Sequence, residues 1–333
     1  MALNTPAWWY KRGAEGAPWW RPALWPLSLV WRAVNDAKRA KAKPYRSKLF
    51  VISVGNLTLG GSGKTPITAE ILRLLDGAVG LSKGYGGTLD GPVRVDPASH
   101  TASEVGDEPL MLARRTPFMI AKDRAAGLKA LEGQTQIAVV DDAHQNLQIA
   151  KDLHVLVVDG DTRNGAWPFG DGGICPYGPL RESFGEGLAR ADIVVLWMPD
   201  GSAPDASLLD LLSSRPVFVA RLVPQPPALT GPVYGFAGIA KPWKFEATLK
   251  ALGLTIAGFE GFPDHAALSE DTLNRLAAKA GDAPLITTEK DWIKLSPAWR
   301  ARITPLPIAA RFDDEEGFKS ALLTALDKAG FKR

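Results

Sequence analysis

The chain carries a run of glycine, lysine and threonine residues of the kind that binds a polyphosphate. The residues from Thr58 to Thr65 read TLGGSGKT, with a strand-like apolar stretch at 49–54 before them and a helical stretch at 66–72 after them. Glycines let backbone N–H groups turn toward a phosphate, while Lys64 and Thr65 can serve the terminal phosphates and Mg²⁺. We predict a phosphate-binding loop (P-loop) for ATP or GTP, formed by Thr58, Leu59, Gly60, Gly61, Ser62, Gly63, Lys64 and Thr65.

One position of the loop departs from the usual pattern. Thr58 stands where G-x-x-x-x-G-K-[ST] loops begin with glycine. A glycine-rich hairpin or helix entry that binds no ligand is therefore the alternative. Strand, loop and helix nevertheless follow one another in the order that a nucleotide-binding loop needs, which favours the P-loop.

Two adjacent carboxylates follow a later apolar strand. Asp141 and Asp142 end the run at 137–140. Many P-loop enzymes place an acid near Mg²⁺ in this way, so we interpret Asp141 as the acid on the metal side. The alternative is that the pair opens a turn or caps a helix near Gln145.

A second pair of acids lies near the start of a stretch at 104–115 that the pattern predicts to be helical. Asp107 and Glu108 lie in the segment VGDEP. They could act as a catalytic base and as a metal or substrate contact. Aspartate is also favoured at the start of a helix, so the residues alone leave helix capping equally open.

Three further segments carry groups that could contact a ligand. Lys83 adds a positive charge to the glycine-rich segment SKGYGG. Arg181 and Glu182 lie in a loop rich in glycine and proline, where binding groups tend to collect. His265 follows an aspartate and could orient a proton acceptor. Exposed ion pairs and ordinary loops give the same patterns, so none of them assigns a role by itself.

Alternating apolar runs and helical patterns predict the elements that position these groups. Runs that are apolar on both faces indicate a covered, largely parallel sheet. We predict an α/β fold with a P-loop-containing α/β/α sandwich domain. A proline-rich stretch at 224–232 suggests a joint to a second, smaller α/β domain. The predicted division is an N-terminal segment at 1–48, a P-loop domain at 49–222 and the smaller domain at 223–333.

Composition places most of the positive charge at one end of the chain. The 333 residues have a net charge of +3, but ten Lys or Arg and only two acids lie within residues 1–48. That segment has a net charge of +8, which leaves −5 for the remainder. The single cysteine, Cys175, excludes an internal disulfide, and the four scattered histidines do not suggest a zinc site.

The same N-terminal segment is rich in tryptophan. Six of the eleven tryptophans lie within the first 31 residues, and an amphipathic pattern covers residues 22–43. Tryptophan suits the headgroup boundary and Lys or Arg suits anionic lipid, so we predict a helix on a membrane surface. The apolar part at 22–34 would span roughly 20 Å of a hydrocarbon core about 30 Å thick, too little for a transmembrane span. The alternative is a helix packed on the protein's own core. We expect neither an export signal nor nucleic-acid binding from this pattern.

Taken together, the motifs resemble one enzyme family. The segments VGNLTLGGSGKTP, SKGYGG, VGDEP, VVDDAHQN, GPLRE, FPDH and TTEKDWIKL occur in the order found in tetraacyldisaccharide 4′-kinases, bacterial enzymes of lipid A biosynthesis. The resemblance covers the chain from the aromatic N-terminal segment to at least Leu295. It implies transfer of the ATP γ-phosphate to the 4′-hydroxyl of a tetraacyldisaccharide 1-phosphate, forming lipid IVA. It also implies a peripheral or monotopic location at the cytoplasmic face of the bacterial inner membrane.

The resemblance further implies roles for individual residues. The family's catalytic aspartate corresponds to Asp107, paired with His265. Lys64 would contact the β- and γ-phosphates, and Thr65 and Asp141 would hold Mg²⁺. The residues expected to line the site are Asp142, Glu108, Arg181, Glu182 and Lys83.

Two departures from the family pattern bear on the site. Ala143 and His144 stand where the family usually has Gly-Phe after the Asp pair. Lys83 stands where arginine is common and Gly87 where a charged residue is common. Lysine cannot copy a bidentate arginine contact.

Two other classes of protein combine some of these features. A membrane-recruited partitioning ATPase would also join a P-loop to an amphipathic helix, but its loop normally begins Lys-Gly-Gly, and Leu59 stands at that lysine position. A soluble kinase for a small metabolite would leave the N-terminal tryptophans unexplained. Leu59, together with Asp107 and His265, favours the lipid kinase over the partitioning ATPase.

Overall fold

Apolar strands alternate with helices along most of the chain. The structure is a computed structural model that describes residues 5–229, 231–264 and 266–331. Its strands are β1 (Phe50–Gly55), β2 (Val79–Ser82), β3 (Val93–Arg94), β4 (Phe118–Ile120), β5 (Ile137–Asp141), β6 (Leu153–Asp159), β7 (Ile193–Pro199), β8 (Val217–Pro224), β9 (Val233–Ala237), β10 (Ile256–Gly261), β11 (Leu285–Thr288), β12 (Ile303–Leu306) and β13 (Ile308–Phe312).

Helices connect most of these strands. The α-helices are α1 (Trp25–Lys41), α2 (Lys64–Leu74), α3 (Ala102–Val105), α4 (Asp107–Ala113), α5 (Arg124–Leu131), α6 (Phe184–Arg190), α7 (Ala206–Leu212), α8 (Pro242–Ala251), α9 (Glu270–Ala280), α10 (Glu289–Trp292), α11 (Pro297–Arg300) and α12 (Glu315–Lys328). Short 3₁₀ turns occur at Ala7–Tyr10, Arg12–Ala14, Arg21–Leu24 and Arg163–Gly165.

Nine strands form the larger sheet, in the order β13-β8-β7-β6-β1-β5-β2-β4-β3. All neighbouring pairs are parallel except the two at the edges, β3 with β4 and β13 with β8. Strand β1 lies between β5 and β6, and Val54 pairs with Asp141. The carboxyl ends of parallel strands meet at one edge of a sheet, so the loops after β1 and β5 lie side by side.

Helices cover both faces of this sheet. On one face, Ile67 and Ile71 of α2 pack in a buried cluster with Phe50 and Ile52. On the other face, Leu128 of α5 joins a separate cluster formed from β1, β2 and β5. Side chains of β1 alternate between the two clusters because successive residues of a strand point to opposite faces. The predicted α/β/α sandwich is confirmed.

Four parallel strands form the second, smaller sheet, in the order β10-β9-β11-β12. Helix α8 packs on one face through Phe245 and Leu249, and α9 packs on the other through Leu273 and Leu276. The predicted second α/β unit is therefore present.

The last part of the chain returns to the larger sheet. Strand β13 pairs antiparallel with β8, and Phe318 and Leu322 of α12 pack in the cluster that contains Phe50. Residues 308–331 thus belong with the P-loop sheet, whereas the sequence interpretation grouped them with the smaller unit at 223–333. A strand and an amphipathic helix have the same periodicity whichever sheet they join, so the pattern could not reveal this crossover.

The N-terminal segment forms short 3₁₀ turns followed by α1. Most large apolar side chains of α1 are exposed, and Ser28 is its one buried residue within the part of the chain that the structure describes. No helix among the described residues is long and apolar enough to cross a membrane.

Candidate nucleotide and phosphoryl-transfer site

Glycine geometry shapes the loop between β1 and α2. Gly60 and Gly63 have φ of +89° and +84°, backbone conformations that favour glycine. A Cβ at Gly63 would also lie only 2.5 Å from the Trp197 ring, which packs against the loop. Gly63 is the residue before α2, so Lys64 is the first residue of the helix. This geometry places the positive end of the α2 dipole at the loop.

The start of the loop is held by two side chains. The Thr58 carbonyl accepts hydrogen bonds from Asn56 Nδ2 at 2.8 Å and from Arg181 Nε at 3.1 Å. The buried Ser62 hydroxyl has no hydrogen-bond partner among the described residues. A buried polar atom of this kind is usually satisfied by a protein group, a water or a ligand.

The two carboxylates after β5 have different surroundings. Asp141 is buried and accepts a hydrogen bond from Thr68 Oγ1 at 3.0 Å. Burial raises the pKa of Asp141 to about 7, with a further contribution from the Glu108 carboxylate. Asp142 has a φ of +47° and lies 3.5 Å from Lys64 Nζ and 3.0 Å from Arg181 Nη1. Burial would raise its pKa, but these cations lower it to about 2.

A buried arginine holds the turn between these carboxylates. Arg124 Nη2 donates to the carbonyls of Asp141 and Asp142 at 3.2 Å and 3.1 Å. Arg124 thus binds the backbone of the turn, while other side chains bind the two carboxylate groups. The sequence analysis missed this arginine.

Arg181 and Glu182 are adjacent in one loop but contact different groups. Arg181 points toward the P-loop, as the bonds to Thr58 and Asp142 show. Glu182 is buried and binds Arg39 at 2.7 Å, Arg190 at 2.5 Å and Gln145 at 2.9 Å. Of the two predicted residues, the structure brings Arg181 to the P-loop and places Glu182 in a separate ionic cluster.

Asp107 and Glu108 lie at the start of α4. The sequence pattern predicted one helix over 104–115, but Gly106, with φ of +92°, divides it into α3 and α4. Asp107 is buried, and its Oδ1 accepts the backbone N–H of Glu108 at 2.9 Å. The break places both acids at the N-terminal end of α4, beside the cleft between the two sheets.

A lysine from the smaller unit meets these acids. Lys290 Nζ lies 3.1 Å from Glu108 Oε1 and 3.6 Å from Asp264 Oδ1. Burial opposes its charged form, but the carboxylates of Glu108, Asp107 and Asp264 raise the pKa of Lys290. Lys290 belongs to the TTEKDWIKL segment, to which the sequence analysis gave no role. The predicted partner of Asp107, His265, lies outside the described residues.

A cavity lies between the two units. Its wall on the larger unit includes Lys64, Thr65 and Glu108, and its wall on the smaller unit includes Lys241, Lys244 and Lys290. Across its rim, the buried Asp159 accepts bonds from Lys241 and Lys244 at 2.7 Å and 2.8 Å. Three lysines and the P-loop thus face one space, a suitable environment for a polyphosphate. The sequence analysis missed Lys241, Lys244 and Asp159 because no motif links them.

The SKGYGG segment packs against the start of α4 through its backbone. Lys83 is exposed and is not one of the residues that line the cavity. A Cβ at Gly87 would lie 2.6 Å from the Glu104 carbonyl oxygen, so a larger residue cannot fit there without movement. The glycines therefore allow this segment to pack against the backbone just before Asp107, which accounts for Gly87 in place of a charged residue.

The surroundings of His144 indicate a structural role. It is buried, its Nε2 lies 3.0 Å from the Gly187 carbonyl oxygen, and its ring meets His154 edge-on. Burial lowers the pKa of His144 to about 3, so the ring is neutral at ordinary pH. A neutral, flat ring therefore occupies the position where the family usually has phenylalanine.

Comparisons with known proteins identify the family of this chain. A family model described as tetraacyldisaccharide-1-P 4′-kinase matches residues 20–327. The tetraacyldisaccharide 4′-kinase of Phenylobacterium zucineum is 52% identical over 319 residues, covering 95% of this chain and 97% of that protein. The corresponding protein of Caulobacter vibrioides is 50% identical over 330 residues, covering 97% and 98%.

A solved structure adds a match of the fold. The crystal structure of LpxK from Aquifex aeolicus in complex with ATP has a TM-score of 0.72 to this chain at 25% identity, covering 92% of this chain and 99% of that one. The family model and both relatives cover nearly the whole chain. The chain therefore belongs to the tetraacyldisaccharide-1-P 4′-kinase family of ATP-dependent kinases.

Proposed function

We propose that Lys64, Asp107 and the cleft between the two units carry out this kinase's reaction. In that reaction, the γ-phosphate of ATP passes to the 4′-hydroxyl of a tetraacyldisaccharide 1-phosphate, and lipid IVA is formed. The observation that carries the proposal is that Lys64 and Thr65 line the same cavity as Glu108, the residue next to Asp107. Phosphate-binding groups and the residue next to the proposed base thus line one cavity.

The first role is to hold the polyphosphate. Backbone N–H groups of the P-loop and the N-terminus of α2 would surround the phosphates, and Lys64 would contact the β- and γ-phosphates. Arg181 supports this arrangement because it binds both the Thr58 carbonyl and the Asp142 carboxylate. Positioning and charge neutralisation supply most of the catalysis in phosphoryl transfer.

The donor atoms beside the loop fit a magnesium ion. Thr65 offers a hydroxyl, and Asp141 and Asp142 offer carboxylates, the hard oxygen ligands that Mg²⁺ prefers. Burial and the Glu108 carboxylate raise the pKa of Asp141 more than Lys64 lowers it, so an added cation would stabilise the charged form of this carboxylate. Thr65 and Asp141 would hold the ion, directly or through water. When bound, Mg²⁺ neutralises charge on the transferred phosphate and its leaving group.

The second role is to accept the proton of the sugar hydroxyl. The 4′-oxygen forms a bond to the γ-phosphorus while the bond from that phosphorus to the β,γ-bridging oxygen breaks, and ADP leaves. The hydroxyl proton passes to the Asp107 carboxylate, with His265 as its partner. Glu108 and Lys290, which pair at 3.1 Å, would line the acceptor side.

The cleft geometry supports a revised domain division. We propose a larger unit made of residues 49–224 together with 308–331, and a smaller unit made of residues 225–307. The substrate would enter between them. The N-terminal segment at 1–48 would form a separate lipid-facing part.

We further propose that this segment seats the protein on the cytoplasmic face of the inner membrane. Trp19 is 91% exposed, and Leu27 and Val30 of α1 are more than half exposed. An acylated disaccharide stays in the bilayer, so a kinase that lacks a spanning helix among its described residues must approach the lipid at the interface. Exposed apolar side chains beside a basic tract provide that contact.

A lipid phosphorylation assay tests the reaction. Purified protein, Mg²⁺-ATP and detergent-dispersed tetraacyldisaccharide 1-phosphate should yield the bis-phosphate. The Asp107→Asn variant should lose about 10²- to 10⁴-fold in kcat and keep its affinity for ATP. Asp90→Asn is the matched control, because Asp90 pairs with Lys122 at the exposed surface. ATP hydrolysis without lipid phosphorylation would exclude the reaction, and a fully active Asp107→Asn variant would exclude Asp107 as the base.

Flotation with vesicles tests the membrane proposal. A variant with Trp19→Ser, Leu27→Ser and Val30→Ser should float poorly with vesicles that contain anionic lipid, while the wild type floats with them. Leu211→Ser, an exposed apolar residue on α7, is the control and should float like the wild type. If the triple variant floats normally, the lipid contact lies elsewhere.

A further inference from the structure

Helix α1 contacts the loop that supports the P-loop. Trp31 Nε1 donates to the Arg181 carbonyl at 3.1 Å, and Arg39 Nη2 binds Glu182 Oε2 at 2.7 Å. Ser28 adds a hydrogen bond from its hydroxyl to the Ile174 carbonyl at 2.8 Å. All three bonds reach the segment at 174–182.

Those contacts are polar and directional. Among the described residues of α1, only Ser28 is buried, whereas its large apolar side chains are exposed. A helix held on a protein by apolar packing alone would bury an apolar stripe. Hydrogen bonds and ion pairs hold α1 here, and such bonds specify orientation because they weaken steeply when distance or angle changes.

The contacted loop in turn supports the nucleotide-binding groups. The backbone N–H of Arg181 donates to the Leu57 carbonyl at 2.8 Å, and the N–H of Leu59 donates to the Pro179 carbonyl at 2.9 Å. The Arg181 side chain reaches Thr58 and Asp142. A continuous path of bonds therefore joins the lipid-facing helix to the P-loop and to one of the site carboxylates.

We propose that Trp31 and Arg39 are positioning residues that set the geometry of the P-loop from the lipid-facing helix. The inference rests on the proposed function, because it concerns how that reaction is tuned. Arg39 shares the buried Glu182 with Arg190, and Gln145 bonds to Glu182 and to the Asn56 carbonyl just before the P-loop. Without Arg39, this cluster has one cation fewer and the loop loses one of its three bonds to α1.

The consequence is a link between lipid contact and turnover. Where α1 lies at the membrane surface determines where Trp31 and Arg39 hold the loop, and small displacements of a phosphate-binding site reduce turnover strongly. A helix that served only as a lipid anchor would change the affinity for vesicles and lipid substrate instead. The two roles therefore separate in kinetic measurements.

The experiment compares arginine variants of the full chain on one helix. Arg39→Gln should lower kcat about tenfold, with the KM for lipid and vesicle flotation unchanged, and Arg39→Lys should restore most of the loss. Arg32→Gln is the matched control, since Arg32 pairs with the half-exposed Glu186 instead of residues 181–182, and its kcat should stay within about twofold of wild type. Trp31→Phe, which keeps a ring and removes the N–H donor, should lower kcat about threefold.

A second measurement does not depend on activity. Hydrogen exchange at the Leu59 and Arg181 amides should become faster in Arg39→Gln and stay unchanged in Arg32→Gln. Equal kcat and equal exchange in these two variants would overturn the proposal. So would a change confined to flotation or to the KM for lipid. A wild-type protein that hydrolyses ATP without phosphorylating lipid would instead overturn the proposed function, and the exchange result would still test the positioning role.

Discussion

The two charged walls of the cleft are built in different ways. Lys64, Asp142 and Arg181 come from loops at the edge of one sheet, and all three lie in the larger unit. The other charged side of the cleft spans both units, because Glu108 of the larger unit meets Lys290 of the smaller unit, and we call this pair the opposite wall. The first wall keeps its geometry wherever the smaller unit lies, whereas the second exists only when the two units are close. By our proposal, nucleotide binding and acceptor activation therefore depend on different parts of the fold.

Their ionic balance differs as well. On the P-loop wall, the carboxylate of Asp142 faces two cations that lower its pKa. On the opposite wall, the single cation of Lys290 faces several carboxylates that raise its pKa. A negatively charged phosphate would be attracted to the first wall. The second wall would hold a cation beside the proton-accepting group.

The largest effect should come from the P-loop wall. Lys64→Ala removes the cation that contacts Asp142 and, by our proposal, the β- and γ-phosphates. Loss of one preformed electrostatic contact to the transition state costs about 10²- to 10³-fold in kcat. Steady-state lipid phosphorylation measures this loss. Lys83→Ala, an exposed lysine outside the cavity, is the control and should remain within about threefold of wild type. If Lys83→Ala lost as much as Lys64→Ala, Lys83 would act on the bound nucleotide as well.

A smaller loss should follow on the opposite wall. Lys290→Gln leaves Glu108 and Asp264 without their shared cation, so we expect kcat to fall about 10- to 100-fold through misplacement of the groups around Asp107. ATP affinity, measured by calorimetry, should change little, because the P-loop wall remains intact. Lys250→Gln serves as the control, since Lys250 pairs with Glu246 on the exposed side of α8. An equal loss of ATP affinity and kcat would mean that the two walls do not act separately.

Loss of the ion pairs that join Asp159 to Lys241 and Lys244 across the cavity rim should have a moderate effect on stability and turnover. Asp159 is buried and binds two lysines of the smaller unit. The double variant Lys241→Gln, Lys244→Gln leaves this carboxylate without either cation, so we expect the free energy of unfolding to fall by about 2 kcal/mol. We also expect kcat to fall about fivefold, because the units would meet less often in the closed arrangement. Urea denaturation and steady-state kinetics measure the two effects. Adding Asp159→Asn to the double variant should recover part of the stability, and no recovery would show that the ion pairs do not hold the rim.

The same difference between the walls explains what could be predicted from the sequence. Thr58 to Thr65 and the Asp141–Asp142 pair are contiguous segments after apolar strands, so local pattern alone places them at one sheet edge. Lys290 and Lys241 reach the cleft only through the relative position of two units. No periodicity encodes that position, which is why these lysines were missed.

Two local features could not be predicted because they depend on which backbone segments lie close together. Gly106 divides the helix predicted at 104–115, and Gly87 makes room for the backbone before it. A glycine in a sequence does not reveal which segment lies against it. The crossover of β13 and α12 to the larger sheet is a similar case, since both sheets accept an apolar strand followed by an amphipathic helix.

The smallest effect on activity should come from His144, behind the P-loop wall. Its pKa is about 3 in the folded protein, chiefly because of burial, against about 6.5 when unfolded. Above pH 6.5 the ring is neutral in both states. Between pH 6.5 and about 3 only the unfolded state takes up the proton, so stability falls as the pH falls, by up to about 1.4 kcal/mol per pH unit.

His144→Phe should abolish that contribution while retaining a flat ring. At pH 7.5 the variant should be slightly less stable than wild type, because it loses the hydrogen bond to Gly187, worth about 1 kcal/mol. At pH 5 the order should reverse, and kcat at pH 7.5 should stay within about twofold of wild type. Urea denaturation at pH 7.5, 6 and 5 measures the crossing. Parallel stability curves for the two proteins would mean that His144 is charged in the fold, and a large loss of kcat would extend the P-loop wall to this buried ring.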